Sequence, residues 1–339
     1  IGGWVLKYFV AFLTGDGSNA AAAGYFNGFI SGETAPLVFT IIYLALTAYV
    51  VFRGVEKGIE SFSKIVMPLL LLLIVAIAVF SVTIHYTDEG GVTRTGLDGL
   101  LIYLIPNFDG ITLQRFFSVL VDAMGQLFFS LSVAMGIMIA YGSYVPDDAS
   151  LTKSINQIEI FDTVVAFLAG VMIIPAVYTF MGTEGMEASG PSLMFVILPK
   201  VFESMSFGGV VGAAFFLLVI FAALTSSISL METIVSIFQD KFHWTRKSSC
   251  IFVTVMSIVL GAPSSLGFGP LSFISWANMT ILDIMDFVSN SVLMPIVAFF
   301  TAIFVGFIIK PKSISDEVRV TNGKFVGEKL FTVMIKWIT

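Results

Sequence analysis

Two acids three residues apart, Asp283 and Asp286, and a run of hydroxyls, Thr225-Ser226-Ser227, fall inside stretches otherwise apolar enough to be lipid-buried helix. An ionisable side chain at the centre of a bilayer costs roughly 2.5–3.5 kcal/mol on insertion scales. Oxygens retained at such a cost are ligand groups by default, since carboxylates, hydroxyls and released carbonyls build the all-oxygen shells that hard cations prefer. The chemistry suggested is binding of a cation or polar solute at mid-depth in a membrane.

The elements that must hold these residues are membrane-spanning helices. Hydrophobic residues make up 57% of the chain and charged residues 12%, against about 45–50% and about 25% in soluble domains. Apolar runs long enough to cross about 30 Å of hydrocarbon predict spans at 1–14, 36–52, 65–85, 117–144, 155–181, 208–239, 249–266 and 279–309, with a partial one from about 328. The first and last are too short to cross unaided. The chain reads as beginning inside one helix and stopping in the first turns of another.

Charge placement orients the spans. Arg53, Lys57, Lys64, Lys153, Lys241, Arg246, Lys247, Lys310, Lys312, Arg319, Lys324 and Lys329 fall in one set of loops, and only Arg94, Arg115 and Lys200 in the alternating set. The excess of positive charge places the first set in the cytoplasm. Two outside loops are long, 86–116 with an expected short helix, and 182–207, too interrupted by Gly190, Pro191 and Pro199 to span yet too apolar for bulk water. Long ordered loops of this kind are often lids; a surface helix without a gating role is the alternative.

Several classes are excluded. The single cysteine, Cys250, allows no intrachain disulfide, and a net charge of −6 without a basic stripe gives no support to nucleic acid binding. No metalloprotease, phosphate-loop or serine-hydrolase motif occurs, and His85 and His243 both sit near span ends. Nothing surrounding Asp162 and Asp286 supports a carboxylate protease. An enzyme is not expected.

Residues 125–136 read Gly-Gln-Leu-Phe-Phe-Ser-Leu-Ser-Val-Ala-Met-Gly. Such clustering permits a helix break, which at mid-membrane is tolerated where the freed backbone lines a cavity. Close helix packing through small residues is the alternative. On the 208–239 span Ala222, Thr225, Ser226 and Ser229 share a face by their spacing. They are either part of a cation shell or hydroxyls bonded back to their own preceding turn.

The order of four segments shifts the weight between these alternatives: 125–132, Ala-Ala-Leu-Thr-Ser-Ser-Ile-Ser at 222–229, Leu-Asp-Ile-Met-Asp-Phe at 282–287, and Gly-Pro-Ser-Leu-Met-Phe-Val-Ile-Leu-Pro-Lys at 190–200. Together they resemble the neurotransmitter:sodium symporter family, closest to its bacterial amino-acid transporter branch, over essentially the whole chain. The resemblance implies an all-α polytopic membrane protein with an inverted-repeat transporter fold and discontinuous helices, an architecture for which this family is itself a standard example. It implies one transmembrane domain, 1–339, running from the middle of the family's helix 3 to the start of helix 11, with helices 1 and 2 absent. The loops 86–116 and 182–207 become extracellular loop 3 and the lid of extracellular loop 4.

The resemblance also implies roles. The Ala222 carbonyl with the Thr225 and Ser226 hydroxyls matches one sodium site, and Ser130 matches a ligand of a second. Phe129, Ser132, Met135, Ser226 and Leu230 match positions lining the substrate pocket. Asp286 matches the acid of the extracellular gate and Asp240 that of the cytoplasmic gate, while Gln126 and Ser130 match positions around the family's chloride site. Chloride-independent members carry an acid on helix 7, and Asp162 is the internal anion expected here. Ungapped counting back from Pro175 puts Phe161 at the family's sodium-ligand position and Val165 at the acid, so Asp162 reaches the ligand position only with a one-residue shift.

Glu232, one turn below the sodium ligands, is expected in a hydrated cytoplasmic vestibule, with a proton or network role as the alternative. The function implied is sodium-coupled import of a neutral, hydrophobic or aromatic amino acid by alternating access, with two sodium ions and no chloride requirement. The setting implied is the plasma membrane, the inner membrane of a bacterium. The alternative is an ion channel or a non-transporting solute receptor.

Overall fold

Six helices are long and apolar enough to cross a membrane among the described residues: Ala35–Phe52, Val55–Thr83, Leu151–Gly185, Gly208–Phe242, Arg246–Leu266 and Ile281–Ile309. The computed structural model describes residues 1–337 except 89, 109, 147, 187–189, 206, 278, 323, 324 and 326, and only the backbone of 321 and 322. Parts of the loops 86–116 and 182–207 thus lie outside the described residues.

Local chemistry sets the helix starts. Thr95 and Asp98 form a reciprocal capping box at Gly96–Leu104, which satisfies two otherwise unpaired N–H groups. Thr112 accepts from the Arg115 N–H at 3.2 Å to open Leu113–Ser130. Thr245 accepts from the Ser248 N–H at 3.3 Å to open Arg246–Leu266. The Gly208–Phe242 helix stops at His243, which is left-handed at φ 54°, the usual way of ending a helix.

By contacts the chain divides into two units, residues 1–109 with 165–282, and 110–164 with 283–339. In the first, Gly208–Phe242 is the central helix and buries Phe215, Phe216, Leu224, Ile228, Met231 and Val235 against Gly2–Leu13, Ala35–Phe52, Ser61–Thr83 and Arg246–Leu266. Close approach needs glycine at Gly212, where a Cβ would meet the Phe12 ring at 2.3 Å. The aromatic centre continues into the segment 190–203. There Phe195 stacks on Phe26 with ring centroids 5.0 Å apart, and its carbonyl accepts from the buried Tyr8 hydroxyl at 2.8 Å. Phe195, Leu198, Val201 and Phe202 are buried, so this interrupted segment is part of the core of its unit.

The all-α expectation meets one exception. His85–Thr87 and Thr93–Thr95 pair as a short antiparallel ribbon, closed by an Asp88–Arg94 ion pair at 2.9 Å. The expected short helix comes next, at Gly96–Leu104, and lies on Leu151–Gly185, with Gly99 against Pro175 and Tyr103 against Gly170. Leu151–Gly185 leaves helical geometry at Gly182, φ 64° and ψ −158°, a region of backbone space that is essentially glycine's alone. The Arg94 guanidinium lies over it, 3.4 Å from where a Cβ would stand.

The second unit holds Leu113–Ser130, Ile137–Gly142, the opening of Leu151–Gly185, and the 287–309 helix with wide turns at Phe287–Leu293 and Phe304–Ile309. Pro311–Asn322 and Glu328–Trp337 complete it, linked by Arg319 to Glu328.

Candidate functional site

The first cluster forms where Leu113–Ser130 ends. The Val133 N–H bonds the Phe128 carbonyl at 2.9 Å and the Ser132 N–H bonds the Phe129 carbonyl at 3.1 Å. This pair of bonds closes a helix on a left-handed residue, here Ser132 at φ 56°. Ala134 at φ 63° and Gly136 at φ 78° are also left-handed, and the helix resumes at Ile137. A Cβ at Gly125 would meet nothing within 4 Å, so close packing does not account for that glycine. The clustered Gly and Ser residues accompany a true break.

Ser130, the last helical residue, donates from Oγ to Asp162 Oδ1 at 2.5 Å. Asp162 sits eleven residues into Leu151–Gly185, about 16 Å along its axis, well past the first turn. Phe161, the residue that ungapped counting favours, is exposed. Around the break Phe129 is 54% exposed, while Ser132 and Met135 are half-buried.

The second cluster lies on Gly208–Phe242. Thr225 Oγ1 and Ser226 Oγ donate to the Ala222 carbonyl at 2.9 and 3.2 Å, and Ser229 Oγ donates to the Thr225 carbonyl at 3.0 Å. Three oxygens therefore gather on one face through bonds internal to the helix. Leu230, one turn on, is 44% exposed. Ser227 belongs to a different surface. Its Oγ receives the Tyr43 hydroxyl at 3.0 Å and lies 3.0 Å from Thr47 Oγ1, so this member of the hydroxyl run fastens Ala35–Phe52.

One acid, Glu232, is placed differently from expectation. Asp283 and Asp286 occupy the first two turns of Ile281–Asp286, at the start of the Ile281–Ile309 span. Asp283 there faces the positive end of the helix dipole, and Asp286 accepts from the Asn290 amide at 2.7 Å. Glu232 is not in a hydrated vestibule. It is fully buried, 0% exposed, and held in two-pronged contact by Arg246, whose Nη1 reaches Oε1 at 3.1 Å and whose Nη2 bonds Oε2. The same guanidinium donates to the Val51 carbonyl from Nε at 3.0 Å and Nη2 at 2.7 Å. A buried carboxylate requires such a partner, and sequence reasoning misses it because Arg246 lies on the next helix, beyond the His243 turn. Asp240, one turn before that turn, is exposed.

The sequence profile of the Sodium:neurotransmitter symporter family matches residues 32–339. The chain belongs to this family. It is 34% identical over 334 residues to the sodium-dependent transporter YhdH of Bacillus subtilis (strain 168), covering 98% of this chain and 70% of that protein. A sodium-dependent transporter of Haemophilus influenzae is 30% identical over 322 residues, 92% of this chain and 67% of its own length. The crystal structure of MhsT in complex with L-phenylalanine superposes with a TM-score of 0.83 at 36% identity, over 100% of this chain and 74% of that one. This symporter is thus a sodium-coupled transporter with the inverted-repeat fold and its discontinuous helices, not an enzyme. It is a multi-pass membrane protein, located in bacteria in the plasma membrane.

Proposed function

We propose that the transporter imports a neutral, hydrophobic or aromatic amino acid with two sodium ions, by alternating access and without a chloride requirement. The observation that carries this reading is the Ser130–Asp162 contact at the helix break. A carboxylate within about 4–6 Å of a bound cation favours the cation, and a fixed carboxylate there supplies the negative charge that chloride would otherwise bring.

One sodium ion takes Ser130 and Asp162; the other takes the Ala222 carbonyl with Thr225 and Ser226, whose two hydroxyl hydrogens need only rotate away to offer oxygens to a hard cation. Each sodium ion entering gains about 2.3 kcal/mol per 100 mV of membrane potential, which two ions convert into uphill uptake of a neutral solute. Phe129, Ser132 and Met135 at the break, and Ser226 and Leu230 on Gly208–Phe242, are the residues we assign to substrate. Three of the five are apolar, and Met adapts to bulky side chains. The L-phenylalanine in the MhsT structure supports the same class. Asp286 and Asp240 act as the outer and inner gate acids, and 182–207 as the lid.

The test is uptake by the full-length protein in proteoliposomes. Replacing chloride by gluconate leaves uptake unchanged, Asp162→Asn sharply weakens sodium-dependent binding, and tryptophan, tyrosine or leucine compete better than lysine or glutamate. Uptake that collapses without chloride while Asp162 is intact, or stronger competition by lysine or glutamate, overturns the reading.

A further inference from the structure

Away from both clusters, a groove of about 340 Å³ runs between Ala35–Phe52 and Arg246–Leu266. That volume lies at the lower end of the range for ligand sites. Its walls are Ala45, Ala48 and Tyr49 on one helix and Cys250, Ile251 and Thr254 on the other. The floor is narrow because small residues meet there, with the Cys250 thiol 3.6 Å from the Ala48 carbonyl. Thr254 donates its hydroxyl to the Cys250 carbonyl at 2.7 Å, so the groove is apolar in spite of its threonine.

Each wall ends in a cation, Arg53 after Ala35–Phe52 and Lys247 in the first turn of Arg246–Leu266. Arg53 lies one turn beyond Tyr49, stacks over its ring at 5.6 Å and donates to its hydroxyl at 3.0 Å. Lys247 shares a helix face with Cys250, Ile251 and Thr254 by its three-, four- and seven-residue spacing. The neighbouring Arg246 is neutralised by Glu232, whereas neither Arg53 nor Lys247 makes an ion pair among the described residues. The loops carrying them are cytoplasmic by their positive charge. From Arg53 to Ala45 is eight residues, about 12 Å of helix, close to the depth of one leaflet of an about 30 Å core.

We infer that this groove seats an acyl chain of an anionic phospholipid of the cytoplasmic leaflet, with Arg53 and Lys247 on its phosphate. The apolar trough sets the chain's position, and two unpaired cations at its mouth select negative headgroups in the leaflet where they occur. A zwitterionic lipid would fill the trough equally but gain nothing from the second cation.

The experiment is native mass spectrometry of the full-length protein in mild detergent with equal amounts of phosphatidylglycerol and phosphatidylcholine bearing identical palmitoyl and oleoyl chains. A single phosphatidylglycerol adduct is retained about fivefold or more over phosphatidylcholine, as headgroup charge selection demands. The Arg53→Gln/Lys247→Gln double variant lowers it to the phosphatidylcholine level, while Arg53→Lys/Lys247→Arg keeps the preference. Ala45→Trp, which fills the trough and leaves both charges, lowers retention of both lipids. Elution profile and thermal unfolding midpoint report that each variant is folded. Equal retention of the two lipids by the unaltered protein overturns the inference, as does a phosphatidylglycerol adduct that survives either the charge-removing or the trough-filling change. A protein dimer in place of the adduct, lost in Ala45→Trp, would assign the groove to a second copy of the chain and overturn it as well.

Discussion

The Gly208–Phe242 helix runs unbroken through Ala222, Thr225, Ser226 and Ser229, whereas the segment 113–142 comes apart at 131–136 around Ser132, Ala134 and Gly136. Both carry small and hydroxyl-bearing residues close together in an apolar setting. In the first, each of these hydroxyls returns to a carbonyl three or four residues back, and buried Phe216, Ile228 and Val235 lock the rest of the helix. In the second, Leu113–Ser130 buries none of its residues, and the Ser130 hydroxyl leaves its own helix for Asp162. A polar cluster therefore keeps or interrupts a helix according to whether its oxygens are satisfied within the helix and whether packing holds the rest.

The largest effect expected from breaking this contrast is at Glu232. Removing one partner of a buried ion pair costs about 3–5 kcal/mol, so Glu232→Ala should lower the thermal unfolding midpoint of the purified protein by far more than Glu56→Ala at the exposed start of Val55–Thr83. Equal midpoints would show that the lower end of Gly208–Phe242 is not held by Arg246. Next come the hydroxyls: Thr225→Ala or Ser226→Ala should raise the sodium concentration for half-maximal substrate binding about tenfold, equivalent to about 1.4 kcal/mol, with the midpoint little changed. An unmoved sodium dependence in both would leave these oxygens as mere helix back-bonds.

A paired glycine substitution sharpens the contrast further. Left-handed geometry costs a residue with a Cβ roughly 1–2 kcal/mol, so Ala134→Gly should be neutral or stabilising by up to about 1 kcal/mol after the added freedom of the unfolded chain is deducted. Ala223→Gly, inside the intact helix, should cost about 1 kcal/mol. Thermal or denaturant unfolding of the two variants gives the sign of each, and the same sign in both would remove the distinction.

The smallest effect is expected in the outer ribbon. The Val92 N–H holds the Asp88 carboxyl below the ordinary carboxylate range, opposed by partial desolvation and assisted by Arg94. With the folded value depressed, the ribbon's stabilisation is full above the ordinary pKa of about 3.9 and fades as pH falls through the lower folded value. The protection of the Val92 and Arg94 amides, taken as the intrinsic exchange rate at each pH divided by the measured one, should fall in that acid window and stay level between pH 5 and 8.

Much of this architecture is legible in the sequence. Spans emerge from apolar runs because nothing else makes such runs tolerable, and 36–52, 208–239 and 249–266 fall within a few residues of the observed Ala35–Phe52, Gly208–Phe242 and Arg246–Leu266. The break near Ser130 is readable as composition, but its end on Ser132 depends on backbone angles that serine rarely adopts. The setting of Glu232 is hidden as well, because it is made by Arg246 and Val51, 14 and 181 positions away, and no local pattern carries that information.

The departure at Gly182 has a consequence for how this chain tolerates insertions and deletions. From Gly170 to Pro175 the helix presents two surfaces in fixed phase, one to Tyr103 and one to Gly99. Losing one residue between them would turn one surface by about 100° against the other, at 3.6 residues per turn. Beyond Gly182 the helical count restarts, so a residue gained or lost there leaves the phase of the preceding helix untouched. Length differences among relatives should therefore collect after position 182 and be missing from 170–175.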